Sequence, residues 1–224
     1  MLIITKVKLA SFLQRNKSFI LFILLMSVFR SAVADWYSVP TGSMQPTIQV
    51  GDRVVVNKMA YDLRIPFTHI NLVSLNTPAR GEIVVFDSKA AEQRLIKRII
   101  GLPGDIISMK QDKIFINGKP VTYQAVTASN KGTSLVETLG SIKHAIDINT
   151  QTNGQLSNFN AVKVPEGYYL VLGDNRRNSA DSRVHGFIPH HELLGKATSI
   201  AFSVNYQNYY LPRTDRLLLD IYSI

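Results

Sequence analysis

Cysteine is absent from the 224-residue chain, which excludes disulfide staples, thiol nucleophiles and cysteine-ligated zinc in one step. Histidine is scarce. Its five copies, His69, His144, His185, His190 and His191, form no H-E-x-x-H or related ligand pair, so neither a metal nor a cofactor is expected. Their polar or proline-flanked contexts predict surface or turn positions. No acidic residue accompanies Lys6, Lys8, Arg15 and Lys17, and only one apolar run, which follows them, is long enough to meet a membrane. The rest of the basic excess (25 Lys+Arg against 16 Asp+Glu, net +9) is scattered, leaving no compact patch for nucleic acid. With 46% hydrophobic residues, the chain has material for a real core.

The apolar run, "SFILFILLMSVF" from Ser18 to Phe29, admits two readings. One is a cleaved signal peptide, with small residues at Ala32 and Ala34 in "AVA" at the −3 and −1 positions. The other is a retained anchor from Lys17 to Trp36, whose length of about 20 residues matches the hydrocarbon core at 1.5 Å per residue. In the second reading Arg30 snorkels to the far interface beside Trp36 and Tyr37, and the basic residues hold the N-terminus in the cytoplasm.

Beyond the run, "IQVGDRVVVNKMAY", "RGEIVVFDS", "QRLIKRIIGLPGDIISM" and "PEGYYLVLGDN" are β-branched stretches punctuated by turn residues. "DKIFINGKPV" predicts a hairpin at Asn117-Gly118. The fold class is mainly β. The polar stretch 124–161 reads as an insertion or small cap, and "RTDRLLLDIYSI" is ambiguous between a strand and a short amphipathic helix.

Within "PTGSMQPTIQVGD", Ser43 is either a turn residue or a nucleophile in need of a base. A lysine in "RLIKRIIGLPGD" can supply one. On a strand Lys97 shares a face with Leu95 and Ile99, and burial among aliphatic side chains favours its neutral amine. The neighbouring Arg98 stays charged and cannot serve. The Ser-x-x-Lys arrangement of β-lactamases is excluded, because Met44, Gln45 and Pro46 follow Ser43. Gly101, Pro103 and Gly104 are turn formers.

Three segments in order, "SMQPT" (Ser43–Thr47), "RLIKRIIGLPGD" (Arg94–Asp105) and "GDNRRNSADSR" (Gly173–Arg183), follow the anchor and extend the pattern to about Phe202. Together they closely resemble the bacterial type I signal peptidases, or leader peptidases. The resemblance implies a Ser/Lys dyad with Ser43 as nucleophile and Lys97 as general base. It also implies an oxyanion hole made by the Ser43 N–H and the Thr41 hydroxyl, where many members carry serine. A donor so aimed is worth about 3 kcal/mol. Ser179 matches the hydroxyl that orients the lysine, and Asp181 and Arg183 match a supporting pair.

The same resemblance implies a basic cytoplasmic N-terminus (1–17), a retained transmembrane anchor (18–36), a β-rich catalytic domain (37–109 and 164–224) and a smaller inserted domain or cap (110–163). Its substrate class is exported preproteins with small residues at −1 and −3, bound as an added strand. Met44 and the segment Ile83 to Phe86 are the candidate pocket walls. The expected setting is the bacterial inner membrane, single-pass, with a monomeric catalytic domain on the outer, periplasmic face. The "AVA" segment raises self-cleavage after Ala34 as a further expectation. Two other functions fit parts of the pattern: a Ser/Lys peptidase dedicated to one exported substrate, such as a conjugation pilin, and a non-catalytic exported peptide-binding module.

Overall fold

The computed structural model describes residues 12–68, 70–129, 132–151 and 154–223; Lys6, Lys8 and His69 lie outside the described residues. The apolar run forms helix α1 (Lys17–Ala32) and stops well before Trp36. The cause is local. The Val33 carbonyl accepts the Lys58 N–H, and Lys58 Nζ donates to the Arg30 carbonyl (2.8 Å), so the chain leaves the helix for strand β1 (Ala34–Ser38). This corrects the expected span through residue 36. Among the described residues no helix is long and apolar enough to cross a membrane; the 16 residues of α1 reach about 24 Å, against a hydrocarbon core of about 30 Å. Arg30 binds Asp35 (2.6 Å) and stacks 4.6 Å from the Trp36 ring, so the cation and indole of the sequence do meet at the helix end.

The chain then runs through β2 (Asp52–Asn57), β3 (Asp62–Arg64), β4 (Asn71–Ser74), β5 (Ile83–Ser88), β6 (Gln93–Gly101), β7 (Ile106–Lys110), β8 (Lys113–Ile116) and β9 (Lys119–Pro120). It continues as β10 (Thr122–Ser129), β11 (Gly132–Leu139), β12 (Ile142–Asn149), β13 (Phe159–Lys163) and β14 (Tyr168–Leu172), and the short helix α2 (Ser182–His185) follows. Strands β15 (Ile188–Pro189), β16 (Leu193–Asn205), β17 (Leu211–Pro212) and β18 (Leu219–Asp220) complete it. The main antiparallel sheet has the order β1-β2-β16-β5-β6-β14-β15, with β17 and β18 added along β16.

Strand β5 explains its own sequence. Ile83 and Val85 enter one core cluster with Val54, Val56 and Ile200, while Val84 and Phe86 enter another with Ile99, Val171 and Leu193. A central strand buried on both faces reads as a continuous apolar run. A third cluster, around Ile100, Ile107, Ile114 and Leu172, joins the main sheet to the four-stranded sheet β13-β7-β8-β9. The expected hairpin at Asn117-Gly118 is present, with both residues at positive φ (51° and 77°).

The polar stretch 124–161, read as an insertion or small cap, is largely strand. Most of it forms the three-stranded sheet β10-β11-β12 and strand β13, in which Thr133 pairs with Ile148 and Leu135 with Ile146. Cross-strand pairing that local periodicity does not encode stabilises it. The C-terminal segment resolves to short strands and a single turn at Thr214–Arg216, where Arg216 binds buried Asp52 (2.7 Å).

Candidate active site

Ser43 sits in the turn after β1, and Lys97 sits on β6. Their side chains meet: Lys97 Nζ donates to Ser43 Oγ at 2.7 Å. Lys97 is only 2% exposed. Burial disfavours its ammonium and brings its pKa down to about 8, although the nearby Asp181 and Asp174 carboxylates pull the other way.

The Ser43 turn is held from below by the segment after β14. The Asn175 N–H donates to the Ser43 carbonyl (3.1 Å) and Asn175 Nδ2 donates to the Gly42 carbonyl (3.1 Å). Gly173 is required here for close approach, since a Cβ at this position would collide with the Ser43 carbonyl oxygen and with Ser179 Oγ.

Of the "GDNRRNSADSR" residues, Asp181 and Arg183 form a two-pronged pair at 2.8 and 2.7 Å. Asp181 also accepts the Gly173 N–H (3.0 Å), while Arg183 donates to the carbonyls of Leu156 (2.9 Å) and Arg176 (2.6 Å). The pair therefore fixes the backbone that supports Ser43. Ser179 is buried beside this backbone, yet its hydroxyl has no hydrogen-bond partner among the described residues; the direct Ser179–Lys97 bond implied by the resemblance is not formed. Thr41 is exposed and lines the same cleft as Ser43 and Lys97.

That cleft, of about 540 Å³, runs between two incomplete sheet edges. On one side lie Tyr37 to Met44, the end of β1 and the Ser43 turn; on the other lie Gln93 to Lys97 of β6. Strand β14 covers β6 only from Arg98 onward, so no strand pairs with the first half of that edge among the described residues. Met44 lines the cleft as expected, but Ile83 to Phe86 do not. They are fully buried in the core, and Val39, Ile48, Leu95 and Ile96 form the apolar walls instead.

A buried charge network escaped the sequence reading. Arg98, next to Lys97, makes paired bonds to Asp174 (2.8 and 2.7 Å), and Asp174 also accepts the Thr47 hydroxyl (2.6 Å) from the segment that carries Ser43. Burial alone would raise the Asp174 carboxyl, but the Arg98 guanidinium overrides this and holds it below the usual carboxylate range. His144, expected at a surface or turn, is 1% exposed instead, 3.2 Å from Glu137 and 3.8 Å from Asp174. It sits inside because β11 and β12 fold over the Arg98–Asp174 pair, and burial, with Arg98 adding to it, depresses its pKa. Glu137 is also bonded by both terminal nitrogens of buried Arg176. The only hints in the sequence were charges inside otherwise apolar or turn-rich motifs.

Comparison with known proteins identifies the family. The family described as signal peptidase, peptidase S26 matches residues 12–202. Signal peptidase I of Pseudomonas fluorescens is 34% identical over 209 residues, covering 84% of this chain and 72% of that protein. Signal peptidase I of Pseudomonas aeruginosa is 31% identical over 204 residues with the same coverage, and that of Rickettsia typhi is 36% identical over 211 residues, covering 85% and 80%. The matched span holds Ser43, Lys97 and the segment Gly173–Arg183, and the chain belongs to the signal peptidase (peptidase S26) family and is a serine endopeptidase of that type.

Proposed function

We propose that this protein is a membrane-bound enzyme that removes N-terminal signal peptides from exported preproteins through a Ser43/Lys97 dyad. The observation that carries the reading is the 2.7 Å contact between Lys97 Nζ and Ser43 Oγ inside a cleft bordered by the segment Tyr37–Met44 and by the edge of β6 that β14 leaves uncovered. As the neutral amine, Lys97 takes the Ser43 proton while Oγ attacks the carbonyl of the −1 residue. The resulting ammonium returns that proton to the departing amine of the mature protein. Lys97 then deprotonates the water that hydrolyses the acyl-enzyme.

The oxyanion is stabilised in this scheme by the Ser43 N–H and the Thr41 hydroxyl at the cleft rim. Ser179, whose buried hydroxyl is without a partner, turns toward the lysine when substrate closes the site. Asp181 and Arg183 hold the supporting backbone. An extended preprotein adds a strand beside Gln93–Lys97, and the walls Val39, Met44, Ile48 and Ile96 leave room for small side chains at −1 and −3.

The catalytic part comprises 37–109 and 164–224 in this reading, with 110–163 as the inserted domain. The chain acts as a monomer with its catalytic domain on the periplasmic face of the bacterial inner membrane. Attachment uses α1, whose Phe19, Leu21, Phe22, Leu24 and Leu25 are all exposed. The hairpin β3–β4 extends this apolar surface: Phe67, Ile70 and Leu72 are exposed, and the Phe67 N–H donates to Ser31 Oγ at the helix end (2.6 Å).

The test is cleavage of a purified preprotein with an Ala-x-Ala site by the detergent-solubilised chain, beside folded Ser43→Ala and Lys97→Ala variants. Cleavage by the unmodified chain alone is the expected result. Cleavage by all three would remove the dyad, and cleavage by none would favour a dedicated substrate or a binding module.

A further inference from the structure

A second hollow, of about 270 Å³, opens beside the nucleophile turn but outside the main cleft. Its walls include Gln45, two residues after Ser43, together with Asn175 and the open end of the β11–β12 hairpin, where Thr133 and Ser134 face Ile148 and Asp147 across the ladder. The lining is polar. Ser134 Oγ donates to an oxygen of Asp147, and Gln45 and Asn175 complete the polar wall.

This wall is tied firmly to the nucleophile. The Asp147 N–H donates to the Asp174 carbonyl (2.9 Å), the Arg176 N–H donates to the Asp147 carbonyl (2.9 Å), and Asp147 and Asn175 form a parallel bridge. Asn175 in turn holds the Ser43 and Gly42 carbonyls. One residue therefore separates the inserted sheet from the backbone that presents Ser43. A sheet docked only for stability has no need to leave a polar hollow at that junction.

We infer that this hollow receives the first residues of the mature chain, those just after the scissile bond, and that Asp147 favours a cationic or donor-bearing side chain there. This rests on the proposed signal-peptide cleavage. The apolar cleft suits the small side chains before the scissile bond; the chain beyond that bond has to pass Ser43, and the hollow begins at Gln45. Its chemistry fits polar residues in the same way that the cleft fits apolar ones. The inserted sheet thereby acts in substrate selection, with Asp147, Gln45 and Thr133 as specificity-determining residues.

Two preprotein substrates that differ only in carrying Lys or Glu at the first two mature positions test this, with a third truncated to a small amide reporter directly after the −1 residue. The unmodified enzyme is expected to favour the Lys substrate over the Glu substrate by about tenfold in kcat/KM, the scale of one hydrogen bond to a charged group, and Asp147→Asn to flatten that preference. Thr133→Trp, which fills the hollow, is expected to lower the kcat/KM ratio of the long to the truncated substrate by about tenfold, mainly through KM. Gln45→Ala, which removes one wall without adding bulk, serves as the second variant and is expected to lower the same ratio. A ratio that stays constant across these variants, or an Asp147→Asn enzyme with an unaltered Lys/Glu preference, overturns the inference. Failure of the unmodified enzyme to cut any of the three substrates instead overturns the peptidase reading beneath it.

Discussion

Lys97 Nζ and Ser43 Oγ lie 2.7 Å apart although 54 positions separate them in the chain. Their meeting depends on the pairing of β5 with β6 and on the Asn175 bonds under the Ser43 turn, so it is a property of the sheet.

Lys97→Arg is expected to be as inactive as Lys97→Ala, with kcat/KM lower by about 10²–10⁴-fold, because a guanidinium keeps its proton and cannot act as base. Steady-state cleavage of a preprotein by both folded variants checks this. Appreciable activity in the arginine variant would assign proton transfer to another group.

The rate should rise with pH and level off above about 8, where Lys97 is neutral in the folded enzyme. Stability follows the same residue. Its folded pKa, about 8, is below its ordinary 10.5, so the unfolded chain binds the extra proton between these values. The folded state is therefore penalised at neutral pH, by up to about 3 kcal/mol, and the penalty disappears as pH rises from 8 to 10.5. Lys97→Met should melt higher than the unmodified protein at pH 7, with the gap closing toward pH 10.5. Thermal melts across that range are the measurement.

Gly173→Ala should lower kcat by about 10²-fold, because the added methyl displaces either the Ser43 carbonyl or the Ser179 side chain. Combining it with Ser179→Gly relieves one of the two collisions. The double variant separates the cost of moving the nucleophile from that of moving Ser179, and kinetics with matched thermal melts report both.

Asp174→Asn should destabilise the fold by about 3–5 kcal/mol, since it leaves the Arg98 guanidinium buried without its counter-charge. The midpoint of urea unfolding measures this. A change below about 1 kcal/mol would mean that water reaches Arg98 or that Gly81, whose carbonyl also accepts from it, carries most of its bonding.

Ser179→Ala offers a sharper contrast. The lost hydroxyl has no partner among the described residues, so stability should hold or rise by about 1 kcal/mol, while kcat falls by about tenfold if that hydroxyl orients Lys97 in the substrate complex. An unchanged kcat would limit Ser179 to packing against Gly173.

By itself the sequence determined the elements whose causes are local. The uninterrupted apolar run specifies a helix, the β-branched stretches specify strands, and Asn117-Gly118 specifies its hairpin because both residues tolerate positive φ. It also determined which residue types were available for chemistry: with no cysteine, and with histidines outside any recognisable ligand pair, a serine and a lysine in ordered motifs were the strongest candidates. The tertiary structure decided where α1 ends, because the carbonyls after the apolar run are claimed by Lys58 from β2's far side. It decided that 124–161 is sheet, since register across β11 and β12 and not alternation within either strand stabilises it. It placed His144 in the interior by docking that sheet over Arg98 and Asp174. Above all it set the environment of Lys97: desolvation and the distance to Ser43 arise only when distant strands pair, and no local pattern of residues carries that information.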